Sequence, residues 1–99
     1  MFATVRHYTE LTTSTADALA AQCAALGPVL ESVPGWVSSV LVRTRTGAVL
    51  VTLGEDEASL VESGRRVTAW LAAHVEGFRT SRAPDVWAGD VLIPTPSTA

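Results

Sequence analysis

The stretch Trp36-Val-Ser-Ser-Val-Leu-Val-Arg-Thr-Arg-Thr-Gly-Ala-Val-Leu-Val-Thr-Leu-Gly54 decides the fold. Two β-branched runs, Trp36 to Thr44 and Ala48 to Leu53, flank Arg45-Thr46-Gly47, a short loop ending in a residue that tolerates positive φ. That is a hairpin. Its second arm, Ala48 to Leu53, is apolar at both parities, and such a strand is covered on both faces.

Outward from the hairpin, the pattern repeats on each side. Phe2 to Tyr8 reads as a strand with Phe2, Thr4, Arg6 and Tyr8 on one face and Ala3, Val5 and His7 on the other. Leu19, Cys23, Leu26, Leu30 and Val33 share one stripe at about 100° per residue, which predicts a helix over about Thr15 to Ser32. Ser14 and Asp17 resemble a capping box, a kink is expected at Gly27-Pro28, and Pro34-Gly35 stops the helix. Downstream, Glu55, Asp56 and Glu57 open a second helix reaching about His74, with Leu60, Gly64, Val67 and Leu71 inward. Glu62, Arg65, Arg66 and Ala69 point away into solvent. Gly77 to Pro84 reads as loop, Asp85 to Ile93 as a last strand, and Pro94 to Ala99 as a flexible tail.

The order β-α-β-β-α-β predicts an α+β, ferredoxin-like fold: a four-stranded antiparallel sheet with both helices on one face. Residues 1–93 then form one domain. The bare sheet face needs a cover, and a second copy supplies the simplest one. The expected state is a homodimer. The composition agrees, since 47% of the 99 residues are hydrophobic and a chain this short buries a limited share of its surface.

Composition also excludes function classes. Seven basic residues, all Arg, against ten acidic ones give a net charge of −3, which argues against a nucleic-acid partner. A single cysteine, Cys23, permits no internal disulfide and no thiolate zinc site. It lies in the first helix stripe and reads as a small buried hydrophobe. No apolar run approaches the roughly 20 residues of a membrane span, so no membrane partner is expected and a cytoplasmic setting is the reading.

The opening Met-Phe-Ala-Thr-Val-Arg-His-Tyr, the Glu31-Ser-Val-Pro-Gly-Trp36 turn, the hairpin and Asp85-Val-Trp-Ala-Gly-Asp-Val-Leu92 together resemble the dimeric α+β barrel superfamily. Within it the chain is most similar to antibiotic biosynthesis monooxygenase-like domains. The resemblance implies two protomers packed sheet to sheet and a ligand pocket between sheet and helices. Its members include cofactor-free oxygenases of polycyclic phenols, haem-degrading oxygenases and proteins without known activity. Both groups of oxygenases lean on an Asn, and this chain has none. His74 stands where the haem degraders carry a helix histidine, but Trp70 lies one turn before it rather than near Gly64 or Arg65.

The chemistry-bearing residues in this reading are His7 and His74 as catalytic groups and Trp70 as a substrate-binding wall. If Ala3, Val5 and His7 face the helices, both imidazoles line one pocket, where a histidine of near-neutral pKa serves as base toward a phenol. The phenolate then reacts with dioxygen, with no metal and no cofactor. The structural alternatives are a half-solvated His7 at a strand end, His74 as a helix C-terminal cation, and Trp70 sealing the helix–sheet edge. Trp36 and Trp87 read as core or interface residues. The functional expectation is a cofactor-independent monooxygenase of a small aromatic or phenolic substrate. A non-catalytic ligand-binding or assembly protein on the same fold is the second reading, and haem binding the third.

Overall fold

In the computed structural model, which describes residues 1–92, strand β1 spans Phe2–Tyr8 and the hairpin consists of β2 (Trp36–Arg43) and β3 (Ala48–Gly54). Thr44 N–H donates to the Gly47 carbonyl across the turn at 3.0 Å. The last strand, β4, runs Asp85–Asp90 and so ends three residues before the expected Ile93, which lies outside the described residues with the expected tail. The sheet order is β2-β3-β1-β4, every pair antiparallel. This is the expected ferredoxin-like α+β architecture.

The first helix is broken into α1 (Thr13–Gln22), a tight three-residue turn at Cys23–Ala25, and α2 (Leu26–Glu31). The break falls one turn before Pro28 rather than at Gly27-Pro28. Proline lacks an N–H and its ring conflicts with the carbonyl four residues back, here Ala24, so the distortion appears upstream. Thr12 rather than Ser14 caps α1, its hydroxyl accepting from Thr15 N–H at 3.1 Å. Asp17 instead binds Arg43 at 2.8 Å. Leu19, Leu26, Leu30 and Val33 are buried as expected, but Cys23 is half-buried. The tight turn winds at about three residues per turn and swings Cys23 off the stripe. Its thiol donates to the Ala20 carbonyl at 3.3 Å.

Helix α3 spans Glu57–His74 and starts with a built cap, Asp56 accepting from Ser59 N–H at 2.8 Å. Leu60, Gly64, Val67 and Leu71 are buried along its inner side. Val67 and Leu71 close a core with Tyr8, Leu19, Leu26, Leu30, Ala48, Leu50 and Val75. Phe78 meets the Tyr8 ring edge-on at 5.7 Å.

Strand β3 shows how the two sheet faces differ. Ala48, Leu50 and Thr52 are buried beneath the helices, while Val49, Val51 and Leu53 point the other way. Register places Val5, Val40 and Val42 beside them on that open face. Val40 is 58% exposed and Trp87 56%. The apolar character at both parities therefore has two origins, a helix-covered core and an uncovered apolar sheet. No helix among the described residues is long and apolar enough to cross a membrane.

Candidate functional site

The register settles which way β1 faces. Tyr8 pairs with Ala48, Arg6 with Leu50 and Thr4 with Thr52, so Phe2, Thr4, Arg6 and Tyr8 look toward the helices. Ala3, Val5 and His7 lie on the open face. His7 sits between Val49 and Asp85, its ring against Trp87 with centroids 6.4 Å apart. His74 is the exposed last residue of α3, in the helix layer on the other side of the sheet. The structure therefore does not bring His7 and His74 together, and the pocket expected to hold both is not formed. A period-two strand puts His7 and Tyr8 on opposite faces by geometry alone.

Trp70 is half-buried on α3. Its ring stacks beneath His74 at 4.7 Å, and His74 Nδ1 lies 2.9 Å from the Trp70 carbonyl oxygen. It packs against the core on the flank of α3 that also carries Arg66, which reaches Ser32 at the end of α2. Nine residues separate Trp70 from Val61, which at about 100° each is half a turn of the helix. Trp36 is a core-edge residue, its indole N–H donating to Ser39 Oγ at 3.0 Å, and Trp87 belongs to the open face.

On the Val61 side of α3 the structure opens a cleft of about 340 Å³ between the helix and strands β1 and β4. Phe2, Leu60, Val61, Val86 and Ala88 supply apolar walls, and Arg6 reaches the cleft from β1. The Arg6 guanidinium lies against Gly64, where a Cβ would overlap its Nη2 atom. Glycine within a helix costs about 1 kcal/mol relative to alanine, and at Gly64 the missing side chain makes room for Arg6. Beyond Arg6 lies the Tyr8 hydroxyl, fully buried, its own proton without an acceptor among the described residues. Burial pushes its pKa up from the ordinary phenol value, and the charge and hydrogen bonding of the nearby Arg6 oppose the rise.

The sequence reading did not single out Arg6 at the cleft or Tyr8 behind it. The available signal was Gly64, a helix-disfavoured residue centred on a buried stripe, which marks a close approach from the facing layer. A smaller hollow of about 110 Å³ lies beside Cys23 between α1 and the hairpin, and its one charged group, Arg43, is already paired with Asp17. No cluster of three or more metal-ligating side chains occurs among the described residues.

The strand order and one-sided helix layer define a ferredoxin-like domain, the fold shared with proteins that carry the antibiotic biosynthesis monooxygenase name. Among solved structures, a point mutant of MhuD, crystallised with two manganese protoporphyrin IX per active site, is 15% identical with a TM-score of 0.74, covering 98% of this chain and 100% of that one. SnoaB, a cofactor-independent oxygenase from Streptomyces nogalater, also solved as a point mutant, is 15% identical with a TM-score of 0.66 and 97% coverage of each chain. A dimeric ferredoxin-like protein of unknown function from Jannaschia sp. CCS1 is 14% identical with a TM-score of 0.64, covering 91% of this chain and 98% of that one. No family model and no curated sequence matches the chain, so the likeness lies in the fold.

A porphyrin does not fit the residues found here. The cleft is near the lower limit of small-molecule sites, and neither imidazole reaches it. His74 stands outside on the α3 terminus and His7 on the opposite sheet face.

Proposed function

We propose that the chain works as a homodimer, joined through the open sheet face, in which each protomer binds a small planar aromatic molecule in the cleft between β1, β4 and α3. The observation that carries this reading is the cleft itself, apolar-walled, about 340 Å³, and reached by Arg6. Such hollows, mostly apolar with few polar groups, are the usual form of small-molecule sites. Phe2, Leu60 and Val61 offer flat contact to a ring, and their burial by a ligand supplies the binding energy. The histidine pair has no place in this binding reading.

The test is to fill the cleft. Ala88→Trp places an indole where the ring would lie, at a position already exposed on β4. Binding of a naphthalene probe, followed by calorimetry, is expected to fall by at least about tenfold, while the mass of the particle in solution stays the same. Unchanged binding in this variant contradicts the reading.

A second reading, oxygenation of a phenolic ligand without a cofactor, is favoured by the positive charge of Arg6 at the cleft. A cation beside a phenol favours the phenolate, which gives up electrons to dioxygen more readily. With an anthrone, the ring methylene becomes a carbonyl carrying one oxygen atom, and the other oxygen leaves as water. Oxygen uptake with an anthrone distinguishes an enzyme from a binding protein.

A further inference from the structure

We propose that the cleft selects anions: its ligand is an aromatic carboxylate, held with the carboxylate on Arg6 and the ring against Phe2, Leu60 and Val61. This inference rests on the cleft reading above and specifies its ligand class. Four observations carry it.

First, Arg6 is half-buried in the sheet–helix layer and makes no ion pair among the described residues. Arg43, Arg65 and Arg82, at exposed positions, and the half-buried Arg66 each face a carboxylate. A cation partly withdrawn from water without a counter-charge is unfavourable, and a ligand carboxylate removes that penalty. Second, the protein makes room for this side chain, since Gly64 lacks the Cβ that would overlap Arg6 Nη2.

Third, the Tyr8 hydroxyl is buried beside Arg6, which acts on it by charge and as a hydrogen-bond donor, while its own proton has no acceptor among the described residues. Thr9, Thr44 and Ser63 also carry buried hydroxyls without a partner among the described residues, but of these four Tyr8 is the one that adjoins a cation. An anionic oxygen on Arg6 gives this end of the layer the acceptor it lacks. Fourth, the charges are ordered along the cleft. Glu57 lines its outer end, in the first turn of α3, seven residues or about 10 Å of helix from Gly64. A carboxylate therefore enters with its charge inward, toward Arg6, and its ring outward. Arginine rather than lysine suits this task, because its planar fork matches the two oxygens of a carboxylate.

The experiment compares naphthalene carboxylate with naphthalene carboxamide, the uncharged molecule of the same shape, by calorimetry near neutral pH and at low salt. The unaltered protein is expected to bind the carboxylate about tenfold or more tightly than the amide. Arg6→Gln is expected to erase that preference, read as the ratio of the two affinities, and Arg6→Lys to retain part of it. Equal affinity of the unaltered protein for the two probes overturns the inference without recourse to any variant. A preference that survives in Arg6→Gln also overturns it, by placing the anion elsewhere. The cleft reading fails separately, and takes this inference with it, if neither probe binds at millimolar concentration or if Ala88→Trp leaves both unaffected.

Discussion

Val51→Asp is expected to split the proposed homodimer into single chains. Val51 lies mid-strand on β3, paired with Val5 of β1 on one side and Val40 of β2 on the other, at the middle of the open apolar face. A carboxylate sealed there between two sheets is desolvated without a counter-ion, at a cost of several kcal/mol. Each dimer carries two of them. Since about 1.4 kcal/mol is tenfold in affinity, the dissociation constant is expected to rise at least about a hundredfold. The side chain points away from the helices, so the protomer's own core of Leu50, Val67 and Leu71 is untouched. Light scattering at micromolar concentration should give two chains for the unaltered protein and one for the variant, with the helical circular dichroism retained. A Val51→Asp protein that still runs as two chains places the interface somewhere else.

The second large effect is on stability. Leu71→Ala removes a side chain only 1% exposed, where α3 closes on Tyr8, Leu50 and Ala48. Truncating a buried leucine costs about 2–5 kcal/mol, the spread reflecting how far the site relaxes. In a chain of this size the melting temperature should fall by roughly 10 °C or more. Val61→Ala, ten residues earlier on the same helix but 67% exposed, is the contrast and should shift stability by less than about 0.5 kcal/mol. Scans must be made at one protein concentration, because a dimer's melting temperature rises with it. Equal losses in the two variants would mean that α3 does not pack as described.

Much of the architecture was legible because periodicity survives local detail. The stripe of Leu60, Gly64, Val67 and Leu71 and the double-faced β3 strand each report burial on a known side, whatever the loops do. Local detail was where expectation and structure parted. Pro28 predicted a kink, but its steric conflict is with a carbonyl four residues upstream, so the turn tightened at Cys23–Ala25 and carried the thiol out of the core. The site was obscured by one parity. Ala3 and Val5 look like core residues and Arg6 looks like a surface residue, so alternation alone turns the His7 face inward. In the structure Phe2 and Tyr8 provide the bulk on the helix side, and the absence of a side chain on Gly64 accommodates the arginine between them. That exchange between a strand and a distant helix is a tertiary fact. Single-strand alternation does not carry it.

The most direct test of the central claim is to map where an aromatic carboxylate lands. Amide chemical shifts of the isotope-labelled protein would be followed while naphthalene carboxylate is added. The largest changes are expected at Thr4, Arg6, Leu60, Val61 and Ala88 around the cleft, with Val49 and Val51 on the open face nearly still. Changes concentrated on the open face, or around Cys23 and Leu41, with the cleft amides unmoved, would contradict that claim.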